Sequence, residues 1–180
     1  MKHLFVVVIL FCSILGAPCS LAQEGFADGP LIKEFGRHAA VNLTQPLNQN
    51  SAFKIAFDVS QTAGDGQLNR KFDSLARFLN MHVANGVNPK NIQLALVVHG
   101  KAGFDLLNAK QHSDKFDNNN ENLPLIQALL ENNVEIYLCG QSAAYYGIEN
   151  QHLIEGVTMS LSAMTANAQL SQRGFTHNPF

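Results

Sequence analysis

The sequence predicts a three-layer α/β sandwich with a mostly parallel, doubly wound sheet of about five strands. Two observations lead there. After residue 52, strand-like and helix-like segments alternate four times. Several of the strand-like segments are unbroken apolar runs, as strands covered on both faces must be. Residues 23–51 hold Gly25, Gly29, Pro30 and Pro46 among many Asn and Gln. They read as an irregular, extended arm with a turn of helix near Ile32 to Phe35.

From Phe53 the pattern becomes regular. Phe53 to Val59 is a short apolar run suited to a strand, and Gly64-Asp65-Gly66 is a turn. Leu68, Phe72, Leu75, Ala76, Leu79 and Val83 recur at the spacing of one helix face, which Asn85-Gly86 stops. Ile92 to Val98 is the second strand, followed by His99-Gly100. Phe104, Leu106 and Leu107 suggest a short helix, and polar Gln111 to Asn120 reads as an exposed loop. Leu123 to Leu130 is a helix with Pro124 in its first turn, where proline is tolerated. Val134 to Leu138 is the third strand. It runs straight into Cys139-Gly140-Gln141-Ser142, and a helix follows by Ala143 to Tyr146. Val157 to Leu161 is a fourth strand and Ala163 to Gln172 a helix. Gly174 to Phe180 is a tail or a short last strand.

The N-terminus has a separate reading. Met1-Lys2-His3 is a positive leader, and Leu4 to Leu15 is an apolar run of 12 residues. A membrane span needs about 20. Ser20-Leu21-Ala22 offers small residues at the −3 and −1 positions of a cleavage site. This is a secretory signal over residues 1–22, with the mature, exported and hence periplasmic chain starting near Gln23. An irregular arm (23–51) and an α/β domain (52–180) follow. Hydrophobic residues make up 46% of the chain and charged ones 14%, which excludes a charge-driven disordered chain. Net charge is −2, or −3 once Lys2 leaves with the leader. A mildly acidic chain without basic runs is a poor partner for nucleic acid or anionic membranes.

Cysteine usage narrows the chemistry. Of three cysteines, Cys12 and Cys19 fall in the leader, so the mature chain keeps Cys139 alone and forms no internal disulfide. In open α/β sheets, sites form beyond the carboxyl ends of the strands. Asp58, His99 and Cys139 follow or close the first, second and third strands. Cys139 stands where a helix begins, and backbone N–H groups there favour a thiolate. Gly140 permits a tight turn and close approach of a partner sulfur. Gln141 and Ser142 supply donors to a thiolate or persulfide. His99 is placed to give or take a proton, and Tyr145 to wall the pocket. Each has a plainer reading. Cys139 ends a buried strand as a small apolar residue, His99 bonds a loop carbonyl, Asp58 caps the next turn, and Tyr145 packs in the core or at an interface. His38, His82, His112, His152 and His177 show no ligand spacing, so no metal site is expected, and nucleophilic chemistry on a thiol asks for no other cofactor.

The string Val134-Glu135-Ile136-Tyr137-Leu138-Cys139-Gly140-Gln141-Ser142 resembles the core motif of the DsrE/DsrF-like (YchN-like) sulfur-relay family. Phe53 to Val59 is similar to its first strand. Leu96-Val97-Val98-His99-Gly100 is similar to its second, and Val157 to Thr165 to its fourth strand and last helix. The resemblance spans roughly residues 53–176. Gly29-Pro30-Leu31-Ile32 and Gly36 in the arm are similar to exported members. The resemblance implies a doubly wound fold and homo-oligomers such as trimers or hexamers. It also implies a cysteine, matched here by Cys139, that carries sulfane sulfur as a persulfide between a donor and a thiol acceptor. Two other functions fit the residues. One is a non-catalytic oligomeric module that binds a small ligand or partner, its cysteine merely structural. The other is a thiol redox sensor whose resolving thiol comes from another molecule.

Overall fold

In the computed structural model, residues 25–178 are described. The expected leader lies outside them. The arm contributes β1 (Phe26–Ala27) and β2 (His38–Ala39), paired antiparallel as a small ribbon. There follow β3 (Phe53–Val59), α1 (Arg70–Ala84), β4 (Ile92–Val98), α2 (Ala109–Phe116), α3 (Leu123–Glu131), β5 (Glu135–Cys139), α4 (Gly140–Tyr146), β6 (Thr158–Ser160), α5 (Ala163–Gln172) and β7 (Thr176–Asn178). A seven-residue 3-10 helix, Gly100–Leu106, follows β4.

The main sheet has five strands in the order β6-β5-β4-β3-β7, all parallel. The chain steps from β3 through β4 and β5 to β6, then returns across the sheet to β7. Central β4 is buried at every position except Gln93, which is why it reads as a continuous apolar run. The larger core lies on one face, where Phe57, Leu94, Leu96, Val98, Ile136 and Leu138 meet Phe72, Leu75 and Leu79 of α1 and Leu125, Ile126 and Leu129 of α3. The opposite face is covered by α5. There Ala56, Ala95 and Val97 pack with Ala166, Leu170 and Phe175. Small residues on this face leave the helix room to lie close to the sheet.

Three expectations change. The arm forms no helical turn near Ile32 to Phe35. Instead it is pinned to α1 by Asn80, whose Oδ1 accepts from Leu31 and Ile32 N–H at 3.2 and 2.9 Å. The supposed loop Gln111 to Asn120 is largely α2. This helix buries no side chain, so it has no apolar stripe to read. It rests on local terms: Asn108 Oδ1 accepts from the Gln111 N–H at 3.0 Å, and Lys110 pairs with Asp114 four residues on. The helix after β5 begins at Gly140 rather than near Ala143.

His82, in the last turn of α1, stacks on Phe78 at 3.9 Å and meets the Phe53 ring edge-on at 4.6 Å. Burial lowers its pKa below the ordinary 6.5, against the pull of its hydrogen bond to the Phe78 carbonyl. The folded chain thus holds His82 neutral, and the unfolded chain binds the extra proton. Stability from this residue is full above pH 6.5 and drains as pH falls through the lower folded value. Urea melts at pH 7 and pH 5 should show a loss that His82→Gln largely removes; an unchanged loss would assign it to other groups.

Candidate functional site

Side chains alternate faces along a strand. On the face covered by α5, β3 presents Lys54, Ala56 and Asp58, and β5 presents Glu135, Tyr137 and Cys139. Continuing the alternation of β4 past Gln93, Ala95 and Val97 places His99 on the same face. Register sets them side by side: Val98 pairs with Leu138, and the next residues along are His99 and Cys139. The covering helix leaves this end of the sheet open. Asp58 and His99 keep 39% and 35% of their side-chain surface exposed.

Cys139 is 6% exposed, and it is an unpaired thiol. Burial is the largest single influence on its ionisation, and it raises the pKa. The Ser142 N–H, the Ser142 hydroxyl, the Ala163 N–H and the Gln141 N–H together outweigh burial. The thiol therefore ionises below its ordinary pKa. Ser142 Oγ accepts the Gly100 N–H at 2.9 Å, which leaves its own proton for the sulfur. Gly140 is required by close approach. A Cβ there would lie 2.5 Å from the Ser160 carbonyl oxygen and 3.1 Å from that of Leu161.

His99 Nε2 lies 2.7 Å from Asp58 Oδ1, and Asp58 Oδ2 accepts from Asn167 Nδ2 of α5 at 2.8 Å. So Asp58 caps no turn; its carboxylate is held between a histidine and an amide. The Gln141 side chain is engaged with the β6–α5 connection. Its Nε2 donates to the Leu161 carbonyl at 3.3 Å, and its backbone N–H is the group that favours the thiolate. Tyr145 is 82% exposed and packs edge-on against Tyr146 at 4.9 Å. It stands exposed on α4 rather than in the core. A separate cavity of about 260 Å³ opens between Thr62, Phe104, Asp105, His112, Phe116 and Asn118. Neither Cys139 nor His99 lines it.

The decisive comparison is at family level: the model of the DsrE/DsrF-like family matches residues 54–177. The chain belongs to the DsrE/DsrF-like family. This family is generally related to sulfur relay. Among solved structures, the ychN protein from E. coli is 21% identical, with a TM-score of 0.48 over 69% of this chain and 96% of that one. MTH1491 from Methanobacterium thermoautotrophicum, a protein of unknown function, is 12% identical, with a TM-score of 0.49 over 70% and 97%. No curated protein matches the chain.

The matched span of this DsrE/DsrF-like chain contains Asp58, His99, Cys139 and the whole of α5. Sequence reasoning named the first three and missed Asn167 and the Ala163 N–H. Strand alternation would have put Asp58, His99 and Cys139 on one face. Nothing in the run Ala163 to Gln172 singles out Asn167, because its partner Asp58 is 109 residues away.

Proposed function

We propose that this protein handles sulfur outside the cytoplasm, carrying sulfane sulfur as a persulfide on Cys139. The observation that carries the proposal is a single thiol whose ionisation is favoured by four donors, three backbone N–H groups and one hydroxyl. The Cys139 thiolate attacks the outer sulfur of a sulfane donor and displaces the rest of that donor as an anion. Cys139–S–S⁻ then holds the sulfur. An acceptor thiolate attacks the terminal sulfur, forms its own persulfide and releases Cys139 as the thiolate. No oxidant is consumed, and the step asks for no cofactor. The helix-side donors that favour the thiolate also suit the persulfide anion, which keeps the leaving group good in the second step. Export by the leader would place this chemistry in the periplasm.

Partners are part of the same reading. Leu161 and Met164 are 72% and 79% exposed and flank the Cys139 site, with Tyr145 one helical turn from Gln141. An apolar rim of this kind suits contact with a macromolecule. It supports a homo-oligomer, for which the family resemblance implies a trimer or hexamer, together with a protein acceptor. The second reading, an oligomeric binding module with a structural cysteine, is favoured by the low exposure of Cys139.

Mass spectrometry separates the two. Exposing the native protein to glutathione persulfide or polysulfide should add about 32 Da, one sulfur, to the Cys139 peptide, and dithiothreitol should remove it. Alkylation of the native thiol should proceed at pH 7, below the ~8.5 of a free thiol. A Cys139 that reacts with neither reagent until urea is added would overturn the carrier reading in favour of the binding module.

A further inference from the structure

Asn167 sits one turn into α5, four residues on from Ala163, and faces the Asp58 carboxylate. Its Nδ2 donates to Asp58 Oδ2 at 2.8 Å, and Asp58 Oδ1 faces His99 Nε2 at 2.7 Å. Its own Oδ1 is buried and has no hydrogen-bond partner among the described residues. A buried acceptor left unpaired is destabilising relative to a satisfied one. As a packing residue, Asn167 would therefore be inferior to a leucine. What the amide gives in return is the hold on Asp58.

We propose that Asn167 is a positioning residue that fixes Asp58 against His99, so that the imidazole keeps its proton on Nε2 and presents Nδ1 as a base. An ionised carboxylate only accepts hydrogen bonds, so the hydrogen between Asp58 and His99 belongs to Nε2. The lone pair of neutral His99 then lies on Nδ1. With Oδ2 taken by Asn167, Oδ1 is the carboxylate oxygen left to hold the ring. One helix thus serves both halves of the site: the Ala163 N–H favours the thiolate, and Asn167, four residues on, orders the base. The charged and titratable groups around His99 are few. Asp58 faces it from β3, Cys139 stands beside it at the end of β5, and Lys101 follows two residues later. From α5, no charged side chain appears before Arg173, at its far end.

The role of the base rests on the sulfur-carrier reading. Nδ1 takes the proton of an incoming acceptor thiol, giving the thiolate that attacks Cys139–S–S⁻ and leaving His99 as the imidazolium. The imidazolium returns the proton to solvent through its exposed edge.

The test compares Asn167→Leu with the wild-type full chain by three measurements. The thermal midpoint should stay the same or rise, because an unpaired buried acceptor is removed. The downfield, slowly exchanging Nε2 proton of His99 in NMR spectra should vanish. Release of sulfur from persulfidated Cys139 to glutathione should slow about tenfold at pH 7, a deficit that closes once pH exceeds the ~8.5 at which the acceptor thiol ionises by itself. A folded Asn167→Leu that keeps both the proton signal and the pH 7 rate overturns the proposal, and so does a lower midpoint with the signal intact. Asn167→Ala provides the same comparison if the leucine does not fold. Failure of the sulfur-carrier reading shows separately, as a wild-type protein that takes up no sulfur. The NMR signal still decides the role of Asn167 in that case.

Discussion

Cys139→Ser is expected to abolish the 32 Da adduct completely and to change the free energy of unfolding by less than about 1 kcal/mol. Serine is close to isosteric with cysteine, and its Oγ meets the same donors, so the buried hydroxyl is satisfied. What disappears is the nucleophile: a hydroxyl does not ionise in this pH range. Among the described residues no second cysteine stands ready to take over the sulfur. An adduct that survives in Cys139→Ser would place the sulfur elsewhere and end the carrier reading. Gly140→Val is the companion variant, with a different signature. Both atoms that its Cβ would strike, the carbonyl oxygens of Ser160 and Leu161, belong to backbone and cannot swing aside. Helix α4 must retreat, carrying the Gln141 and Ser142 N–H groups away from the sulfur. Loss of adduct with loss of stability, about 2 kcal/mol or more, is expected there. Mass spectrometry and urea melts on the two variants together separate removal of the thiol from removal of its surroundings.

How much of this was legible beforehand depends on the range of the interaction. The fold class follows from apolar runs alternating with helical spacing, and both are local. Ile92 to Val98 and Ala163 to Gln172 are bounded in the structure as in the sequence. Helix α2 was invisible for the converse reason. Held by a cap and an i,i+4 pair, it buries nothing and leaves no periodic mark. In the site, Asp58, His99 and Cys139 were legible because each stands where an apolar strand runs out. The hydrogen bond of Gln141 to the Leu161 carbonyl was not, because the β6–α5 connection that supplies the carbonyl is placed by the sheet order. The same holds for Asn167 and for the docking of the arm. All three depend on which distant segments the fold brings together.

The arm gives the second large expected effect. Asn80 lies in the middle of α1, is 0% exposed, and makes no contact that helix periodicity would announce. Its amide holds the arm by its backbone: Oδ1 accepts from Leu31 and Ile32, while Nδ2 donates to the carbonyls of Ile32, Phe35 and Gly36 at 2.8, 2.9 and 3.2 Å. Gly29 crosses so closely that a Cβ there would fall 1.9 Å from Asn80 Cγ. Asp73 adds a bond at 2.6 Å to the Gly36 N–H. Asn80→Leu keeps the size and shape of the side chain but leaves those backbone groups facing hydrocarbon. Unpaired buried groups cost about 1–3 kcal/mol each, so paying for all of them would approach the stability of an entire domain, about 5–15 kcal/mol. The chain limits the penalty by releasing the arm from α1, which uncovers Ile32 and the apolar surface beneath it. The expected loss is about 3–5 kcal/mol, smaller than the sum because release lets water satisfy the freed groups. Limited proteolysis should then cut between residues 29 and 40 in Asn80→Leu and spare the wild type. Urea melts within about 0.5 kcal/mol of wild type would show that the arm rests on its apolar contacts and that the buried amide adds nothing to them.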